Sequence, residues 1–147
     1  MSQTQSPDTV FHNLHQRIGA RLFTVTVLDR NAGLARRAFT SHPDDYPVSG
    51  TKPMGQSAWT EQVIERGEFF VANTVAEFSI YFPDHALIET LGCRSALNIP
   101  IVQRHVIGTV NILDKEGYFD NERIQNFTTI CQEYHSDLVR AVKQVVL

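Results

Sequence analysis

Cysteine, long apolar runs and clustered charge are all scarce in this chain, and each shortage removes a class of function. The 147 residues hold 2 cysteines, Cys93 and Cys131, with no CxxC between them. Two thiols cannot make a disulfide framework for a domain of this size, so both read as reduced packing residues. The longest apolar stretches are strand-length, well short of the roughly 20 residues that span a bilayer. The start, Met1-Ser2-Gln3-Thr4-Gln5, lacks the charged and apolar regions of a signal peptide. A cytoplasmic protein without a membrane partner is expected. The 13 Lys and Arg are scattered and outnumbered by 16 Asp and Glu, for a net charge of −3. Nucleic acid, whose binding depends on a concentrated basic face, is therefore not an expected partner. His12 and His15 stand one helical turn apart, but no carboxylate or cysteine completes a metal set, so no metal site is expected. Internal repeats and low-complexity segments are absent as well.

What remains is a chain of single-domain length, read as one domain over 1–147 with residues 1–7 flexible. Ser6-Pro7 offers an N-cap followed by proline at the first helical position, and Val10, Phe11, Leu14 and Ile18 recur at helical spacing up to Gly19. A hairpin follows, with strands over 22–28 and 34–40. The segment 41–53 holds Pro43, Pro47, Gly50 and Pro53 and predicts an ordered loop or flap, a length of loop that is often functional. A helix over 56–66 carries Trp59 and Val63 on one face and stops at Gly67. A short strand covers 69–72. The aromatic stretch with Phe78, Tyr81 and Phe82 then leads to Pro83-Asp84 and a short helix ending at Gly92, capped by Asp84 or its neighbour. Strands over 94–102 and 105–113 come next. One last helix from Asp120 carries the stripe Ile124, Phe127, Ile130, Cys131, Tyr134, Leu138 and Val142.

The strand pair after Gly92 is the most informative part, because each strand carries one asparagine among branched aliphatics. Asparagine is disfavoured in strands, and burying its amide unpaired costs roughly 1–3 kcal/mol, so Asn98 and Asn111 demand partners. With a turn centred on Gln103-Arg104 and no bulge, Asn98 lies opposite Thr109 and Ala96 opposite Asn111, all four on one face. The asparagines are then diagonal neighbours, roughly 7–8 Å apart, placed to hold two ends of one small molecule or a bridging water. The other face, with Leu97, Ile99, Ile101, Val106, Gly108, Val110 and Ile112, is apolar and packs on helices. Thr24 and Thr26, alternating with Phe23, Val25 and Val27, extend the polar face into the first hairpin. Such a face is ordinarily solvated. Trp59, Phe78, Tyr81 and Phe82, lying in the segments that can cover it, favour a cavity instead.

The stretches Cys93-Arg94-Ser95-Ala96-Leu97-Asn98-Ile99-Pro100-Ile101, Val106-Ile107-Gly108-Thr109-Val110-Asn111-Ile112-Leu113-Asp114 and Phe119-Asp120-Asn121-Glu122 resemble the GAF domains. The order of elements agrees over almost the whole chain. The chain also looks like the small stand-alone bacterial GAF proteins, with their Tyr-Pro-Val-Ser-Gly-Thr-Lys-Pro-Met type of loop before a tryptophan-bearing helix. The resemblance implies an α+β, GAF/PAS-like fold: a central antiparallel sheet, first and last helices on one face, and a ligand pocket under crossover loops on the other. Members bind small molecules and relay the event to an effector. The cyclic-nucleotide signature is only partial here, and no cysteine stands near Asp84-His85 for covalent chromophore attachment. Free methionine sulfoxide reductase, the enzymatic relative, carries thiols in the loop, where this chain has Lys52-Pro53-Met54-Gly55-Gln56-Ser57, and Ala96 stands where a substrate-binding carboxylate belongs.

The expectation is a non-enzymatic sensor of a small polar metabolite, with no cofactor named and no catalytic residue. Asn98, Asn111 and Thr109 supply directional contacts, and Trp59, Tyr81 and Phe82 enclose the ligand. His85 is placed to donate to it, Tyr46 to close as a lid, and Lys52 and Arg94 to pair with an anionic group. A wide stripe on the last helix predicts a homodimer through the terminal helices. The alternatives are an interaction module whose pocket is filled by its own aromatics, and a thiol redox enzyme using Cys93.

Overall fold

A computed structural model describes residues 5–145. Helix α1 (Pro7–Ile18) begins where the sequence places it: the Ser6 side chain accepts from the Thr9 amide, and Gly19, at φ 69°, ends the helix with its amide on the His15 carbonyl. Ser6 and Pro7 are thus part of the capped helix start, and residues 1–4 of the segment expected to be flexible lie outside the described residues.

Strands β1 (Leu22–Asp29), β2 (Leu34–Thr40), β3 (Lys52–Pro53), β4 (Phe70–Ala72), β5 (Ser95–Gln103) and β6 (His105–Asp114) form one sheet in the order β3-β2-β1-β6-β5-β4, every pair antiparallel. This is the expected α+β architecture. One face of the sheet, with Phe23, Val25, Val27, Leu97, Ile99, Val110 and Ile112, packs with α1, α4 (Asn121–Glu133) and α5 (His135–Gln144) into the main core. The other face lies under the 41–53 loop, a π-helix at Thr60–Glu65, and the crossover with α2 (Val75–Phe78) and α3 (His85–Thr90). Gly108 of β6 lies tight against β1: a Cβ there would stand 2.6 Å from the Thr26 carbonyl oxygen. Only glycine fits that approach.

Six details differ from the sequence reading. The β5–β6 register is offset by two: Asn98 faces Asn111 directly, Ala96 faces Leu113, and Pro100 faces Thr109. One residue of the offset comes from the turn, where Gln103 pairs with His105 around Arg104 alone, and one from a bulge beyond Ile101, where Val102 pairs with Val106 and Ile107 is left over. Val106 consequently packs with Val63 and Ile64, away from the helices, while Ile107 joins the helix-side core. The hairpin turns at Arg104, which adopts φ 66°. The second helix is mostly π-helical, starting later than expected, with the Ser57 hydroxyl accepting from the Thr60 amide. The last helix is two, interrupted at Tyr134 (φ −92°, ψ 4°). Asp84 stands at the N-cap position of α3 without capping it, because its carboxylate is engaged elsewhere.

Candidate functional site

The sheet face opposite the helices is polar in two adjacent cross-strand rows. The first runs Thr24, Asn111, Asn98 across β1, β6 and β5. Its amides form a relay: the Trp59 indole N–H donates to Asn98 Oδ1 at 2.9 Å, Asn98 Nδ2 donates to Asn111 Oδ1 at 2.9 Å, and Asn111 Nδ2 donates to the hydroxyls of Thr24 and Thr26, each at 3.1 Å. The partners the asparagines require are therefore protein groups. The second row runs Arg37, Thr26, Thr109 across β2, β1 and β6. Thr109 is 1% exposed.

Arg37 is the residue the sequence reading missed. A bulge between Val25 and Thr26 on β1 and their partners leaves Ala38 unpaired, so Phe39 faces the helices while Arg37, two residues away, faces the opposite side. Its guanidinium donates to the Pro47 carbonyl at 2.7 Å and to Asp84 Oδ2 at 3.2 Å, and it lies 3.6 Å from the centroid of the Tyr46 ring. The Tyr46 hydroxyl donates to the same Asp84 oxygen at 3.1 Å. One cluster thus ties β2, the proline-rich loop and the crossover together. Burial pushes the Tyr46 phenol up to about 12, against the opposing pull of the Arg37 cation. The signal in the sequence was the Arg36-Arg37 pair inside a strand, where one of two neighbours must point inward.

Between these rows and the covering segments lies a cavity of about 490 Å³. That is within the usual range for small-molecule sites. Of the sequence-predicted residues, Asn98, Asn111, Thr109, Trp59, Tyr81, Phe82, Tyr46 and Lys52 line it. His85 and Arg94 do not: His85 Nδ1 faces Glu89 at 3.7 Å, and Arg94 pairs with Glu89 at 3.4 Å and Glu116 at 3.7 Å. Both face Glu89 of α3 instead of the cavity. The aromatics form a wall by edge contacts, Trp59 to Phe82 at 6.4 Å and Phe70 to Tyr81 at 5.7 Å between centroids, and leave the space in front of the floor open.

The remaining candidates for chemistry are spent elsewhere. Cys93 and Cys131 are buried, and burial raises their thiols to about 11 and about 12, with Asp114 adding to the rise at Cys93 and Arg21 opposing it. Neither is a thiolate at neutral pH. The His15 ring stacks on Phe23 and sits 3.2 Å from the Ala20 carbonyl. Among the described residues there is no group of three or more His, Cys, Asp and Glu arranged to hold a metal, and no helix long and apolar enough to cross a membrane.

A six-stranded antiparallel sheet with terminal helices on one face and a roofed cavity on the other defines a small α+β domain. Comparison with solved structures makes the fold specific: it is that of the GAF domains. The chain is similar to the GAF domain of a two-component sensor histidine kinase from Bacillus halodurans, at 13% identity and a TM-score of 0.72 over 90% of this chain and 93% of that one. It is similar to a GAF domain/HD domain protein from Geobacter sulfurreducens, at 12% identity and TM-score 0.70 over 95% and 96% of the two chains. The cyanobacteriochrome TePixJ GAF domain matches at 15% identity and TM-score 0.65, over 91% and 87%. No protein-family model matches the sequence. No curated protein matches it either.

Proposed function

We propose that this protein is a sensory domain that binds a small polar metabolite in the cavity between the threonine and asparagine rows and the aromatic wall, and that it does so without catalysis. The observation that carries the reading is a cavity of about 490 Å³ with an ordered polar floor that its own aromatics do not fill. An interaction module with a self-filled pocket would have Tyr81 or Phe82 seated on Asn98 and Thr109. A thiol enzyme would need a thiolate, and both cysteines are buried and shifted the other way. The similarity to GAF domains of a sensor kinase and of a cyanobacteriochrome supports a role in signalling.

Binding stabilises the folded chain by RT ln(1 + [L]/Kd), so a thermal-shift screen against a metabolite panel tests the proposal directly. At least one compound should raise the midpoint, and Trp59→Phe should weaken that effect. A panel without a single stabilising compound, or a hit indifferent to the wall, removes the assignment. The proposal extends to a cytoplasmic homodimer formed through the terminal helices; since Ile18, Phe127, Leu138 and Val142 are already buried in the single chain, the apolar stripe itself supplies no uncovered face for that contact. A monomeric mass in light scattering at micromolar concentration would eliminate the dimer.

A further inference from the structure

The two polar rows of the cavity floor differ in what they have left to give. In the asparagine row the relay uses Asn98 and Asn111 against each other, with the indole of Trp59 and the hydroxyls of Thr24 and Thr26 at its ends. Those amides are fixed by protein, which makes them a brace for the floor rather than its open hand. The neighbouring row is different. The Thr26 hydroxyl accepts from Asn111 and keeps its own proton to donate, and Thr109, 1% exposed, lines the cavity beside it. Beside them on the same row stands the Arg37 guanidinium, with 15% of its side chain exposed and donor positions beyond the two that reach Pro47 and Asp84.

Charge points the same way. Arg37, Lys52 and Asp84 are the ionic groups in the cavity lining, two cations against one anion. The Asp84 carboxylate already accepts from Arg37 and Tyr46, and Lys52, at the mouth, is in no ion pair among the described residues. The cavity thus offers a ligand free donors and an uncompensated positive charge, beside the faces of Trp59 and Phe82.

Taking the cavity as a ligand site, we infer that its ligand is a small organic anion, a carboxylate carried on a flat or apolar body, whose oxygens are received by the Arg37–Thr26–Thr109 row while the body lies against Trp59 and Phe82. Lys52 at the mouth attracts the anion, and the asparagine relay holds the floor level beneath it. Recognition of this kind disfavours the neutral and cationic analogues, because only the carboxylate gives the Arg37 guanidinium and the Lys52 ammonium a charge-assisted partner.

The test uses matched head groups on shared skeletons: phenylacetate, phenylacetamide and phenethylammonium, with isovalerate, isovaleramide and isopentylammonium, titrated into the full chain and followed by amide chemical shifts. The carboxylates are expected to shift the amides of Thr26 and Thr109 and to bind at least roughly tenfold more tightly than the amides, the size of one charge-assisted hydrogen bond. Thr109→Val should weaken carboxylate binding by roughly tenfold, as should Arg37→Gln, with the urea midpoint of each variant showing that it folds. Trp59→Phe should weaken all head groups alike. Amides or ammonium compounds that bind as well as the carboxylates, in a Trp59-dependent way, overturn the anion inference and leave the cavity as a ligand site. Carboxylate binding untouched by Thr109→Val and Arg37→Gln overturns the assignment to this row. Silence of every cavity amide towards all six compounds overturns both the inference and the site.

Discussion

Removing the Asn98 side chain is the sharpest perturbation of the floor. Asn98 is 3% exposed, accepts from Trp59 at 2.9 Å and donates to Asn111 at 2.9 Å, so Asn98→Ala orphans an indole N–H and an amide oxygen together. Each orphan costs roughly 1–3 kcal/mol when sealed from water. The floor adjoins the cavity, so water can reach both, and the low end of that range applies: about 2 kcal/mol in total. For a chain of this length that lowers the melting temperature by roughly 4–8 °C. The assay is urea unfolding by far-ultraviolet circular dichroism on the double-mutant cycle Asn98→Ala with Trp59→Phe. In the Trp59→Phe background the indole donor is already gone, so Asn98→Ala should cost about 1 kcal/mol less, and the pair should show that much coupling. Additivity within about 0.3 kcal/mol would refute the relay, because it would mean that Trp59 and Asn98 do not share a hydrogen bond in solution. Trp59 is the one tryptophan of the chain, so its emission should also shift to longer wavelength in Asn98→Ala as water replaces the amide.

Asp84→Asn should change global stability by about 1 kcal/mol or less, because the carboxylate is 43% exposed, yet hydrogen exchange at the amides of Tyr46 and Ser49 should quicken as the loop loses its tie to the crossover; unchanged exchange would deny the tie. Gly108→Ala should cost about 2–3 kcal/mol in urea unfolding, since the new Cβ meets the Thr26 carbonyl oxygen at 2.6 Å and β1 and β6 must part; a loss below about 0.5 kcal/mol would place the strands further apart than described. Tyr46, Cys93 and Cys131 hold their protons more tightly when folded, with values of about 12, about 11 and about 12 against ordinary ones of 10.0, 9.0 and 9.0. Their contribution is therefore whole below pH 9 and is lost as pH rises from there through about 12. The urea midpoint should fall across that window, less steeply in Tyr46→Phe, and a flat midpoint would contradict the burial of these groups.

The layers of the fold were legible because alternation and helical spacing are local properties. Phe23, Val25 and Val27 against Thr24 and Thr26 assign two faces without any knowledge of the partner strands, and the structure keeps that division. What local pattern cannot show is a bulge. A turn centred on Arg104 and one leftover residue at Ile107 together made Asn98 and Asn111 direct partners instead of diagonal ones, and so turned two groups that looked ready for a ligand into groups that satisfy each other. One leftover residue at Ala38 brought Arg37 to the cavity although Phe39, of the same parity, faces the helices. The short helix α3 misled in another way. Asp84 has the residue type and position of a cap, but a guanidinium and a phenol contributed by β2 and the loop compete for its carboxylate and win it. For Asp84, residues distant in sequence decided the outcome.

The central claim is that the space above Thr109 and in front of Trp59 exists to hold a small molecule. A crystal structure of protein taken from cells without refolding, at a resolution that shows ordered water, tests it most directly. The account predicts non-protein density in the cavity, with an acceptor atom within hydrogen-bond distance of the Thr109 hydroxyl and a flat body beside Trp59. A cavity closed by Tyr81 or Phe82 resting on the Thr109 hydroxyl, with no density between them, would contradict it.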